Sequence, residues 1–271
     1  MSINDPQPGD NLMNCLSGAS LVVVSDIHLK RPDDERGMLL QQVLEGVAVT
    51  RPECFVLLGD IFDFCLGSNL YFQTKFASLG AALSRLAKTG TRVIFFEGNH
   101  EFDVHRFGWD GVEFVREGSL VLPLGSGASI LLAHGDLIYS SQVYRSFRRM
   151  VKSKLVRGIA SSLPGSWVEA FALKNSEASR AYDTYRDINH AAILAAARRW
   201  LEAHQCDMGI FGHFHVPYAE GVDGSTAGIL SLNSWDEPNL LLRKGDEFSR
   251  VFLSPQARPE LLRSALAQAH A

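Results

Sequence analysis

The sequence predicts a layered α/β fold in which β-sheets are covered by helices. Three observations predict it. Short runs rich in Val, Ile and Leu alternate with helical patterns through the first hundred residues, as α/β chains do. Polar residues with metal-binding groups follow such runs five separate times. The stretch from 141 to 203 is mostly helical, and short strands return after it.

In order, residues 21–25 read as a buried strand with Asp26 at its exit, and 38–50 as a helix. Residues 54–58 form a second strand ending at Gly59 and Asp60. Residues 72–89 read as one helix stopped by Gly90, and 92–97 as a third strand ending at Gly98. Residues 120–124 and 129–133 read as hairpin strands around Gly125 and Gly127. The helical stretch 141–203 breaks at Pro164 and Gly165. Residues 208–211, 229–233, 239–243 and 249–253 are later strands, and 259–271 a short terminal helix.

With 271 residues, 46% of them hydrophobic, the chain can bury about 75% of its unfolded surface around one core. We expect a single domain over 1–271, because its motifs run along most of the chain and must meet in one place. The net charge of -4 gives no global signature of a nucleic-acid binder. Residues 1–14 are polar, without the basic start and apolar middle of a signal peptide. No apolar run approaches the ~18 residues of a spanning helix. Cys15, Cys54, Cys65 and Cys206 have no paired spacing and read as reduced thiols, which fits a cytoplasmic protein.

The five polar clusters carry the chemistry. They are Ser25-Asp26-Ile27-His28, Gly59-Asp60-Ile61-Phe62-Asp63, Gly98-Asn99-His100-Glu101, His134-Gly135-Asp136 and Gly212-His213-Phe214-His215. In layered α/β folds ligands bind at the carboxyl ends of strands, so these loops can converge. Hydrolysis of a phosphoester at neutral pH needs a strong nucleophile and neutralised phosphate charge, and two divalent cations about 4 Å apart supply both. A carboxylate can be shared between two cations, while imidazoles and an amide oxygen suit Mn, Fe or Zn. In Asp26-x-His28 and His213-x-His215 the paired side chains point the same way if the backbone is extended. The adjoining glycines permit sharp turns and close backbone approach.

This order of motifs resembles the calcineurin-like metallophosphoesterases, from Ser25 to His215. The resemblance implies a four-layer fold, a central β-sandwich flanked by helices, with a dimetal site at its strand ends. It implies that Asp26, His28 and His215 hold one cation, that Asn99, His134 and His213 hold the second, and that Asp60 bridges them. Mn2+ is the expected metal, with Fe or Zn as alternatives. His100 matches the family histidine that faces the scissile phosphate, and Glu101 stands where the family has the Asp that orients it. Asp63 and Asp136 suit supporting roles beside the ligands.

Within the superfamily the chain looks most like the UDP-2,3-diacylglucosamine hydrolases of lipid A synthesis. The motifs Asp-x-His-Leu and Gly-Asp-Ile-Phe-Asp-Phe carry that resemblance, together with a helical insertion over 137–204 holding Tyr144-Arg145-Ser146-Phe147-Arg148 and Lys174-Asn175-Ser176. It implies attack of a metal-bridging hydroxide on the phosphorus next to uridine, giving UMP and 2,3-diacylglucosamine 1-phosphate. It makes the insertion a lid, with Tyr144, Phe147, Arg148, Lys174 and Arg180 as candidate substrate contacts beside Asn99 and His100. Two departures stand out. Ser140 and Ser141 occupy the place of a pair of aspartates, and many members carry Arg at the His100 position.

Taken alone, the insertion shows apolar residues at Val143, Phe147, Val151, Leu155 and Ile159, one helical stripe. Arg145, Arg148, Arg149 and Lys152 cluster on another face, Lys154 and Arg157 follow, and no acidic residue occurs from Leu137 to Val168. Such a segment can lie on an anionic membrane, cover acyl chains as a lid, or pack on itself as a helical hairpin. Trp167, Phe171 and residues 191–200 are expected in the core of that hairpin. Two other functions are open: a nucleotide phosphodiesterase or protein phosphatase of the same superfamily, and a non-catalytic scaffold.

Overall fold

A computed structural model describes residues 12–116, 118–124, 127–181, 190–215, 218–220 and 228–253; of 175–181 and 218–220 only the backbone is described. The expected helix over 259–271 lies outside the described residues, as does the side chain of Arg180.

Helix α1 (Leu12–Leu16) leads into β1 (Leu21–Val24), α2 (Glu35–Thr50) and β2 (Cys54–Leu57). Then come β3 (Cys65–Leu66), α3 (Leu70–Lys75), α4 (Ala77–Lys88), β4 (Arg92–Phe96), β5 (Glu101–Phe102) and β6 (Val112–Val115). The hairpin β7 (Ser119–Pro123) and β8 (Ser129–Ala133) precedes α5 (Gln142–Val151), α6 (Lys154–Ser162), α7 (Gly165–Ala181) and α8 (His190–His204). The rest is β9 (Met208–Phe211), β10 (Tyr218–Glu220), β11 (Gly228–Ser231), β12 (Asn239–Lys244) and β13 (Glu247–Phe252).

The strands form two large sheets, ordered β13-β12-β1-β2-β4-β6 and β10-β11-β9-β8-β7. Strands β1, β2, β4 and β6 run parallel, as do β8, β9 and β11. Because the side-chain period of a strand is two, each sheet divides its apolar residues between two faces. Val23, Val56, Ile94 and Phe96 meet Ile130, Leu132, Ile210 and Leu230 between the sheets. The alternate residues Val22, Phe55, Leu57 and Phe95 pack outward against Leu40, Val43 and Leu44 of α2 and Leu83 and Leu86 of α4. On the far side Leu131, Phe211 and Ile229 meet Ile193, Ala196, Ala197 and Leu201 of α8. The result is the expected four-layer α/β sandwich. Burial on both faces explains why the strands read as unbroken apolar runs.

The local differences from expectation have physical causes. Helix α2 starts earlier, at Glu35, because the Asp34 carboxylate accepts from the Gly37 N–H at 2.8 Å and caps it. The helix expected over 72–89 is two helices. Phe76 leaves helical geometry (φ -104°, ψ 16°) and buries its ring 4.1 Å from that of Phe62. A second break falls at Lys152, where Ser153 starts α6 as its cap. Strand β6 and the two-residue pair β3–β5 were not expected; they are too short for a periodic signal. Helix α8 covers the second sheet, so its apolar residues are not the core of a hairpin. Among the described residues no helix is long and apolar enough to cross a membrane.

Candidate metal centre

The five polar clusters follow β1, β2 and β4 of one sheet and β8 and β9 of the other. All five strands end on the same edge of the sandwich, and the candidate ligands meet there. Asp26, His28 and His215 form one group and Asp60, His134 and His213 another, each with ligand atoms within 4.8 Å of one another. Asn99 joins the second group, its Oδ1 3.1 Å from His134 Nε2.

The backbone that achieves this is not extended, contrary to the expectation for the two x-spaced pairs. Asp26, His28, Asp60, His213 and His215 all have positive φ, between 50° and 67°. Non-glycine residues seldom adopt this left-handed region, and each costs of order 1 kcal/mol or more. Hydrogen bonds hold them there. Asp26 N–H donates to the Gly59 carbonyl at 3.1 Å, His28 N–H to the Asp60 carbonyl at 3.0 Å, and His213 N–H to the Asp26 carboxylate at 2.9 Å. Gly98 and Gly212 supply the close approach expected of them. A methyl group at Gly98 would overlap the Asp60 carboxylate, and one at Gly212 would overlap Ser25 and Asp26.

The electrostatics suit a cation site. Asp26 and Asp60 are buried, which raises their affinity for a proton, yet surrounding histidines and hydrogen bonds outweigh burial and hold both carboxyls below the usual carboxylate value. Burial depresses His28 and His213 to about 4, so both imidazoles are neutral at pH 7. Burial also opposes charge on His134, but the charge of Asp60 and its hydrogen bond push it up to about 10. Its Nδ1–H donates to the Leu58 carbonyl at 2.9 Å, which points Nε2 at Asp60 Oδ2, 3.4 Å away. A proton on that nitrogen and a divalent cation compete for the same negative charge. His28 Nε2 and His215 Nε2 lie 3.4 Å apart. Two imidazole nitrogens so placed bring lone pairs together unless a proton or cation lies between them; burial opposes charge on His215, but its hydrogen bond to Asp26 outweighs burial and raises its affinity for a proton. The donor set and these close approaches therefore fit two divalent cations.

His100 and Glu101 differ from expectation in how they are held. His100 Nδ1 is 2.8 Å from the Asp63 carbonyl, to which it donates, leaving Nε2 on the site side, 3.9 Å from Asp60 Oδ2. Glu101 does not orient His100. Its carboxylate is fully buried and accepts from the N–H groups of Asp60, Ile61, Phe62 and Gly98 at 2.7–3.1 Å. Burial and the nearby Asp60 charge raise it to about 8, against the pull of those donors. Asp63 holds His100 through its main chain, and its carboxylate lies 3.8 Å from His28 Nδ1.

These features are matched by comparison with known proteins. The calcineurin-like phosphoesterase family model matches residues 19–217, which contain all five clusters. The chain belongs to the calcineurin-like phosphoesterase family. As a member it is a metal-dependent hydrolase with a dimetal site. It is 32% identical to the UDP-2,3-diacylglucosamine hydrolase of Pseudomonas paraeruginosa over 80% of this chain and 91% of that one. It is 31% identical to the hydrolase of that name from Azotobacter vinelandii over 82% and 93% of the two chains. The Neisseria gonorrhoeae hydrolase is 27% identical, over 86% and 97%.

The described insertion residues fall in two places. Tyr144 and Arg148 turn inward, and both bind Asp136: the Tyr144 hydroxyl at 3.2 Å and Arg148 Nε at 2.6 Å. Arg148 is thus buried and anchors the insertion to the turn that carries His134. Phe147 and Lys174 are exposed. The apolar stripe is exposed too, at Val143 (79%), Leu155 (74%) and Ile159, with Val151 half-buried, and so are Trp167 (70%) and Phe171 (73%) of α7. Trp167 and Phe171 therefore do not form the hairpin core expected of them. Sequence reasoning placed Lys152 only in a basic cluster, whereas its ammonium is buried against Glu97, and it missed Glu169, which pairs with Lys75 and accepts from the Tyr71 hydroxyl. The basic i, i+4 pair Arg148 and Lys152 was the one available signal for a polar inner face.

Proposed function

We propose that this chain hydrolyses the pyrophosphate of UDP-2,3-diacylglucosamine to UMP and 2,3-diacylglucosamine 1-phosphate. The observation that carries the reading is a dimetal-type donor set beneath a helical insertion whose apolar stripe faces outward. The names of its relatives at 27–32% identity support the substrate.

Asp26, His28 and His215 would hold one cation, Asn99, His134 and His213 the other, and Asp60 both. When bound, the two cations supply a strong nucleophile from water and neutralise phosphate charge. Asn99 orients a phosphate oxygen through its side-chain amide. His100, with Nδ1–H committed to Asp63, carries a second proton only on Nε2 and gives it to the departing sugar phosphate. Manganese is the metal we favour, since the nitrogen and oxygen donors accept it along with iron and zinc.

Within the helical insertion, 137–204, helices α5–α7 serve as a lid over this edge, while α8 covers the second sheet. Its outward apolar face, with exposed Arg145, Arg149 and Lys154 among the apolar residues, suits an anionic bilayer. We place the enzyme on the cytoplasmic face of the inner membrane, where it meets a two-tailed nucleotide sugar. Phe147 and Lys174 are the lid residues proposed to touch substrate, with Arg180 as a third. The test is turnover by purified, manganese-loaded protein of UDP-2,3-diacylglucosamine against its deacylated analogue. Release of UMP from the acylated compound alone is expected. Equal rates on both would favour a general nucleotide phosphodiesterase.

A further inference from the structure

Helix α5 carries Tyr144 and Arg148, and Lys152 is its C-cap, its N–H still donating to the Arg148 carbonyl; spacings of four put the three on one face. That face is turned into the protein. Arg148 reaches Asp136, in the turn after β8 that holds His134. Lys152, one turn further, reaches a different loop: its Nζ lies 2.8 Å from Glu97 Oε1 and 3.0 Å from the Gly98 carbonyl. It also sits 5.3 Å above the Phe102 ring. Both charged side chains are almost wholly buried, 7% accessible for Lys152 and 5% for Glu97. Glu97 further accepts from Val104 N–H at 3.2 Å. Asn99 and His100 lie between these points, in the segment from Gly98 to Val104. Beyond it, Arg157 of α6 pairs with Asp103.

We infer that Lys152 is a positioning residue: from the insertion it fixes the Gly98 carbonyl and Glu97, and so sets where Asn99 and His100 stand relative to His134. The inference rests on the roles proposed above for Asn99 and His100. The geometry is that of a brace. One helix grips the loop with His134 through Arg148 and the loop with Asn99 and His100 through Lys152, so their separation is set by a rigid element. A buried ammonium donating to a main-chain carbonyl stops that peptide from rotating. Small displacements at such a point change rates strongly, because catalysis depends on near-contact geometry.

The test compares Lys152→Met and Glu97→Gln with wild type and with Lys88→Met, which alters an exposed lysine paired with Asp110. Two readouts are taken on folded, manganese-loaded protein: kcat and KM for bis(p-nitrophenyl) phosphate, and amide hydrogen exchange in the peptide covering 97–102. Both brace variants should lose about tenfold or more in kcat with KM changed less than about threefold. Their bound metal should stay at the wild-type amount, and exchange at 97–102 should speed up. Lys152→Arg should recover part of the rate, and Lys88→Met should match wild type. Wild-type kcat or wild-type exchange in a folded Lys152→Met protein would overturn the inference. If it does not fold, Glu97→Gln decides by the same criteria. If wild type turns over no phosphoester, the proposed function fails instead, and the exchange result alone decides the positioning role.

Discussion

Glu101 grips the main chain of Asp60, accepting its N–H at 3.1 Å, while the Asp60 carboxylate accepts the N–H of His100 at 2.9 Å. The two loops after β2 and β4 are thereby laced together in both directions, and the shared carboxylate has one fixed position. Glu101→Gln keeps the size but replaces an accepting oxygen with an amide that faces N–H donors. A loss of about 1–3 kcal/mol is expected, the cost of leaving buried donors unsatisfied. Urea unfolding of the metal-free protein measures it, and an unchanged midpoint would contradict the role.

Asp60→Ala should abolish metal binding at both positions, since its carboxylate is the group proposed to hold both cations. Metal analysis after equilibration with manganese gives the stoichiometry. Retention of one tightly held ion would limit Asp60 to a single position.

His100→Ala should keep wild-type metal content and lose about 100- to 10,000-fold in turnover, the range for a general acid. Steady-state kinetics on a phosphodiester with a poor leaving group reads it. Loss of metal in this variant would move His100 among the ligands.

The metal-free chain should lose stability as pH falls from neutrality. His28 and His213 are depressed to about 4 by burial, below the ordinary 6.5 of the unfolded chain. Below about pH 6.5 the unfolded state binds protons that the folded state refuses, so the stability contributed by these two groups is full above that pH and is lost as pH falls through about 4. His134 has the opposite sign. Raised to about 10, its contribution is full below about 6.5 and declines as pH rises through 10. Urea midpoints from pH 4 to 10 should therefore peak between these limits, and a midpoint that rises on acidification from pH 7 to 4 would contradict the assignment.

The outward apolar face predicts lipid binding. Wild type should sediment with vesicles containing phosphatidylglycerol and much less with neutral ones. Arg149→Gln should weaken this about fivefold, equivalent to about 1 kcal/mol per basic residue near an anionic surface. Val143→Ser with Leu155→Ser should weaken it further without altering turnover of a water-soluble diester. Equal partition to neutral and anionic vesicles would remove the electrostatic part.

Much of this protein is written in its linear order. Strands β1, β2, β4, β8 and β9 are legible because a strand buried on both faces is apolar along its whole length. The candidate ligands are legible because each stands directly after such a strand. Tertiary structure decided the rest. The sequence marks Asp26 and His28 as neighbours, but only packing against Gly59 and the loop at Asp60 drives both into left-handed geometry. It marks Glu101 as an acid beside His100, but only the fold shows it holding the backbone of Asp60. Periodicity identifies which residues of α5 share a face and is silent on which way that face points. Arg148 and Lys152 turned inward because buried carboxylates, Asp136 and Glu97, were waiting after strands β8 and β4, and Val143 and Phe147 were left outside.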